Sequence, residues 1–194
     1  MDRQKPKTTA SVEADVRIML FDFFYLVSEL KKTSRKGWKE KVGAQYPESV
    51  ADHSYGTAIM AMIFSDHLHM DTEKIIKMAL LHDLAESVTG DFMPDEISKE
   101  TKKLVEDEVM REILSKLPDG LVDKYYSLWK DYAMQSSQEA VLLHEIDRLE
   151  MAIQAAKYAG EGLPKEKLDE FIESARKEIK SKELLDILRS ISNK

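Results

Sequence analysis

Between Ile75 and Asp91 the chain reads IIKMALLHDLAESVTGD, an apolar run that closes on groups able to bind metals and move protons. From Ile75 to Ala85 only Lys77, His82 and Asp83 are not apolar, so this segment reads as a mostly buried helix. Ile75, Ala79, His82 and Glu86 recur at i, i+4, i+7 and i+11, which is one helical face. Asp83 stands about 100° round from His82, so His82, Asp83 and Glu86 can border one cavity. An ionised aspartate on a buried helix is costly unless something positive answers it. A divalent cation would meet that cost, with imidazole and carboxylate as borderline-to-hard ligands. The alternative is a helix end whose polar residues stand in solvent.

Other residues divide in the same way. His53 shares a face with Gly56, Met60 and Phe64, which points it inward beside a small residue, as a ligand or as a satisfied core histidine. Asp147 lies beside Ile146 at the edge of a stripe formed by Val141, Leu142, Ile146, Leu149 and Ile153. It either turns inward or pairs with His144 three residues earlier. Asp91, after Thr89-Gly90, acts on a ligand or stabilises that turn. In LKKTSRKGW, Arg35 and Trp38 suit a phosphate and a planar or sugar group, or simply form a solvated turn.

Helical periodicity places elements at 11–32, 51–69, 72–88, 98–117, 120–133, 137–159, 165–180 and 182–191, with Thr72 as the N-terminal cap of the central helix. No stretch alternates with period two long enough to make a sheet, so the fold class is all-α. The first helix is apolar around much of its circumference and is read as core, with a partner interface as the alternative. At 194 residues the chain reads as one domain over 11–194 behind a short flexible lead-in at 1–10. With no cysteine, any metal must be held by His, Asp or Glu, and the composition fits a cytoplasmic protein. No apolar run reaches the length of a membrane span. A net charge of −7 argues against a nucleic-acid polymer as partner but leaves room for a small phosphorylated ligand.

His53, the adjacent His82-Asp83 pair and Asp147 stand in the order H…HD…D, within GW…PESVADHS…LLHDLAESVTGD…EIDRLEM. This pattern resembles the HD-domain superfamily of metal-dependent phosphohydrolases, and in particular its YfbR-type 5′-deoxynucleotidases, over roughly residues 20–160. The resemblance implies that His53, His82, Asp83 and Asp147 hold one divalent metal, and that Glu86 is the essential carboxylate beside it. It also implies that Asp91 contacts the sugar or the attacking-water region, and that Arg35 and Trp38 face phosphate and sugar, with Lys36 a substitute for Arg35. Family members are commonly homodimers.

A two-His, two-Asp site without sulfur points to Mn, Co, Fe or Ni. Such an ion would polarise the phosphoryl group and lower the pKa of its water, with Glu86 moving a proton. The expected activity is hydrolysis of deoxynucleoside 5′-monophosphates to deoxynucleoside and phosphate. The alternatives are a nucleoside triphosphate, cyclic dinucleotide or guanosine tetraphosphate as substrate, or a non-catalytic domain that binds metal or nucleotide.

Overall fold

The protein is described here by a computed structural model covering residues 9–93 and 95–191. Most of the expected lead-in, residues 1–8, lies outside the described residues, while Thr9 and Ala10 already belong to the first helix. The helices are α1 (Thr9–Glu29), α2 (Val50–His67), α3 (Thr72–Leu81), α4 (Glu86–Thr89), α5 (Lys99–Leu114), α6 (Asp119–Met134), α7 (Gln138–Gly160), α8 (Lys165–Glu178) and α9 (Lys182–Ile191). Among the described residues there is no strand, only an isolated bridge between Ser34 and Ser49. A π-helical turn, Trp38–Val42, interrupts the long connection from α1 to α2.

One expected helix is divided. The segment expected at 72–88 breaks after Leu81 and resumes at Glu86. Across the break Leu84, Glu86 and Ser87 donate to carbonyls three residues back, at 3.0–3.1 Å, so the coil tightens to a 3₁₀-like turn. His82 promotes this by donating its Nδ1–H to the Ala79 carbonyl at 2.6 Å, an acceptor that a regular helix reserves for the N–H four residues on. The cap also moves by one residue, because Asp71 rather than Thr72 accepts the Lys74 N–H at 2.9 Å.

α7 is the pillar of the fold, packed by α2, α3, α6, α8 and α9. Leu143, Ile146 and Leu149 are fully buried along it, and each such side chain contributes about 1.5–3 kcal/mol. Val141 and Ile153, expected in the buried stripe, are exposed, because five neighbours rotate the covered face toward Leu143 and Glu150. Around this pillar lie one cluster from α2, α3, α7, α8 and α9, and another from α1, α3, α5 and α6. A third, smaller one gathers round Trp38. α1 is only half core. Leu20, Phe23, Leu26 and Leu30 face inward, whereas Ile18, Phe21, Phe24 and Tyr25 are 57% to 67% exposed.

Candidate active site

Each chemistry-bearing side chain is placed by a local device. A reciprocal capping box between Ser49 and Asp52 fixes the start of α2, and so sets His53 in its first turn. The tight turn after α3 presents His82 and Asp83 side by side, and Asp147 projects from the middle of α7. Gly90, with φ at +73°, allows the reversal that brings Asp91 back toward the segment following α1.

Donor atoms of His53, His82 and Asp147 lie within 4.8 Å of one another, and Asp83 adjoins the two imidazoles. His53 Nε2 lies 3.1 Å from Asp147 Oδ1, 3.4 Å from His82 Nε2 and 3.7 Å from Asp83 Oδ2. His82 Nε2 lies 3.2 Å from Asp83 Oδ2. Both imidazoles have Nδ1 engaged elsewhere: His82 with the Ala79 carbonyl, and His53 with Glu150 Oε2 at 2.6 Å. Their Nε2 atoms are therefore turned toward each other and toward two aspartates. Adjacent donors about 3 Å apart are what an octahedral ion with bonds near 2.1 Å would impose. Two buried imidazoles with a buried Asp147 and a half-buried Asp83, without sulfur, suit a borderline divalent ion. The donor set fits a metal.

The charges agree with this geometry. Burial and the Arg35 charge pull His53 down, but hydrogen bonds to Asp147 and Glu150 outweigh them and hold its ring protonated up to about 10. Burial raises Asp83 and Asp147, yet both stay well below the usual carboxylate range. For Asp83 the opposing groups are His82, Arg35 and His53; for Asp147 they are His53 and Arg148. Glu86 behaves oppositely. It is 2% exposed, with Oε2 buried and without a hydrogen-bond partner, and burial together with Asp83 and Asp91 pushes it well above that range.

Arg35 borders the centre, with one guanidinium nitrogen 3.4 Å from Asp83 Oδ2. Lys36, its expected substitute, is directed elsewhere: its ammonium is held by Glu96 at 2.9 and 3.0 Å. Asp91 Oδ2 accepts the Lys36 backbone N–H at 2.6 Å and so ties the Arg35 segment to the turn after α4. Trp38, expected to face a sugar, is instead 1% exposed. Its ring lies 4.3 Å from Phe171 and 5.4 Å from Tyr158, centroid to centroid, and its Nε1–H donates to Glu48 Oε1 at 2.7 Å. The indole, at the start of the π-helical turn, lands in the small third cluster with Met151, Tyr158 and Leu168. His144 does not pair with Asp147; it stacks on Tyr132 and donates Nε2–H to the Tyr132 carbonyl at 3.0 Å.

Residue patterning alone missed Glu150, which holds His53, and Lys102, whose Nζ lies 3.9 Å from Glu86 Oε1. A signal for Glu150 was present: it stands three residues after Asp147, on the same helical face. Lys102 had none, since it sits in a charged helix among many lysines.

The HD domain family profile matches residues 27–186 of this chain. The 5′-deoxynucleotidase HDDC2 of Danio rerio is 41% identical over 175 residues, covering 89% of this chain and 86% of that protein. Its counterpart of the same name from Homo sapiens is 36% identical over 173 residues, covering 89% and 84%. The crystal structure of the PH0347 protein from Pyrococcus horikoshii superposes with a TM-score of 0.74 at 35% identity, covering 89% of this chain and 98% of that one. With the H…HD…D residues gathered at one buried centre and these similarities spanning most of the sequence, the chain belongs to the HD-domain family.

Proposed function

We propose that this protein is a metal-dependent phosphomonoesterase that converts deoxynucleoside 5′-monophosphates to deoxynucleosides and phosphate. The observation that carries this reading is the pair of opposed Nε2 atoms of His53 and His82, flanked by Asp83 and Asp147. The substrate class is supported by relatives named 5′-deoxynucleotidase at 36–41% identity over most of the chain. His53 Nε2, His82 Nε2, Asp83 Oδ2 and Asp147 Oδ1 would hold one divalent ion, with Mn, Co, Fe or Ni suited to the mixed donors. The chemistry that such an ion supplies is polarisation of the phosphoryl group and a lowered pKa for water.

The protein's own groups do the rest. The Arg35 guanidinium, kept charged against burial by Asp83 and Asp91, offers a donor fork for phosphate oxygens. Lys102, likewise kept charged against burial by Glu106 and Glu86, stands 3.9 Å from Glu86 Oε1. Burial favours the protonated form of Glu86, and its Oε2 has no competing partner, which suits it to the leaving 5′-oxygen or to an attacking water. Asp91 positions Arg35 through the Lys36 N–H and leaves Oδ1 to accept from a 3′-hydroxyl. The burial of Trp38 removes it as the wall against a 2′-hydroxyl, so the deoxyribose preference rests on the relatives. A homodimer in the cytoplasm completes the proposal. Its contact surface would be the exposed Ile18, Phe21 and Phe24 face of α1, since single soluble chains rarely leave such aromatic surface bare.

The test is phosphate release from a panel of deoxy- and ribonucleoside 5′- and 3′-monophosphates and triphosphates, with Mn, Co or no added metal. Release from several deoxynucleoside 5′-monophosphates only with metal is expected. Equal rates on AMP and dAMP would overturn the substrate assignment. Silence across the panel would overturn the enzymatic one.

A further inference from the structure

We propose that Glu150 is a positioning residue for the metal centre, acting through His53, and that Gly56 is small so that Glu150 can reach that ring. The inference rests on the reading of His53 as a metal ligand and adds a residue that the H…HD…D pattern does not contain.

Glu150 lies on α7 one turn beyond Asp147, so a single helical face supplies both a donor to the centre and the group behind another donor. Its Oε2 accepts the His53 Nδ1–H at 2.6 Å, with both side chains buried and Glu150 only 8% exposed. That bond decides which ring nitrogen faces the centre. With Nδ1 committed, Nε2 is left 3.1 Å from Asp147 Oδ1 and 3.4 Å from His82 Nε2. The two histidines are supported unequally, because His82 rests on the neutral Ala79 carbonyl whereas His53 rests on a carboxylate. A carboxylate behind the ring raises its basicity as a ligand and fixes its orientation, and such partners typically govern metal affinity.

The packing of α2 on α7 is built round this contact. A Cβ at Gly56 would lie 2.9 Å from Glu150 Oε1 and 3.3 Å from its Cγ, so any larger residue displaces the carboxylate. Behind it, Glu48 is held by the Trp38 indole N–H, and the nearby Glu150 charge adds to burial in raising Glu48. Glu48, His53 and Glu150 do not form a second cation site in this arrangement, because His53 Nδ1 is already spent on Glu150.

The experiment is titration of the metal-free full-length protein with Co²⁺ alone, reading affinity and the visible spectrum of the bound ion, with thermal melts alongside. Glu150→Gln should weaken cobalt binding about 10- to 100-fold and shift the spectrum, because the charge behind His53 is gone. Gly56→Ala should also weaken binding by displacing the carboxylate, and it carries the same test if Glu150→Gln does not fold. The control is Glu145→Gln on the same helix. Glu145 is also buried but accepts the backbone N–H groups of Lys180 and Ser181 ahead of α9, so its loss should lower Tm without changing cobalt affinity. Wild-type affinity and spectrum in Glu150→Gln or Gly56→Ala would overturn the proposal. So would equal weakening in Glu145→Gln, which would reduce the effect to general destabilisation. A wild-type protein that binds no cobalt would overturn the metal reading, and this inference with it.

Discussion

Replacing Glu86 by Gln isolates proton handling from metal binding. The substitution keeps the shape of a side chain that is almost wholly buried, and removes only its ability to give up or take a proton. His53, His82 and Asp147 converge, with Asp83 beside the imidazoles, without Glu86, so the metal should stay. Loss of a general acid or base lowers turnover roughly 10²- to 10⁴-fold, or about 3–5 kcal/mol of barrier at 1.36 kcal/mol per decade. Burial, Asp83 and Asp91 already favour the neutral form of this side chain, so Tm should change little. In the metal-free protein Glu86 binds its proton more tightly folded than unfolded. Its stabilising contribution is therefore full below the unfolded carboxyl range and fades as pH rises through the raised value, and Glu86→Gln should abolish that fading. The assay is phosphate release from dAMP at saturating substrate, paired with metal analysis of the same sample and melts across pH. Loss of metal together with activity would make Glu86 a ligand. Near-wild-type turnover would remove it from the chemistry.

His82→Ala should remove most of the bound metal and lower Tm, because binding free energy is coupled to folding; full metal and activity in that variant would void the site assignment. Trp38→Ala should cost about 3–5 kcal/mol of stability, read by denaturant melts, since the indole is core between Phe171 and Tyr158. An altered deoxy/ribo ratio at unchanged stability would return Trp38 to the substrate. Asp107 is held at about 2, because hydrogen bonds from Lys130, Tyr126 and Arg111 outweigh burial. Its contribution is present above the unfolded aspartate value and lost as pH falls through about 2, so Asp107→Asn should flatten the acid limb of stability below pH 4. Phe21→Glu with Phe24→Glu should convert a dimer to a folded monomer in light scattering, whereas an unchanged mass would place the contact elsewhere.

Periodicity in the sequence was enough for an all-α fold and for most helix positions, because amphipathic stripes and caps are local properties. It located α9 at its observed bounds, 182–191. It did not find the break after Leu81, since a 3₁₀-like turn over the four residues 82–85 leaves the same apolar pattern as a continuing helix. The α1 aromatics, read as core, are covered on one side only, because which side of an apolar helix is covered depends on partners far away in the chain.

The same division runs through the centre. His53, His82, Asp83 and Asp147 could be grouped only through the H…HD…D resemblance, since each taken alone also fitted a core or surface role. Their opposed Nε2 atoms were not legible in the chain, since each ring is oriented by a different acceptor: a carbonyl three residues back for His82, and Glu150, 97 residues away, for His53. Arg35 and Lys36 are adjacent in sequence and indistinguishable there. Tertiary structure separated them, because Asp91 grips the backbone between them while Glu96 draws the lysine outward and Asp83 draws the arginine in. Trp38 shows the limit most directly: its type suited a sugar, but the π-helical turn and the faces of α7 and α8 made it core. Residue type states what chemistry a side chain can do, and the long-range packing of α2 and α8 on α7 decides which side chains reach the place where it is done.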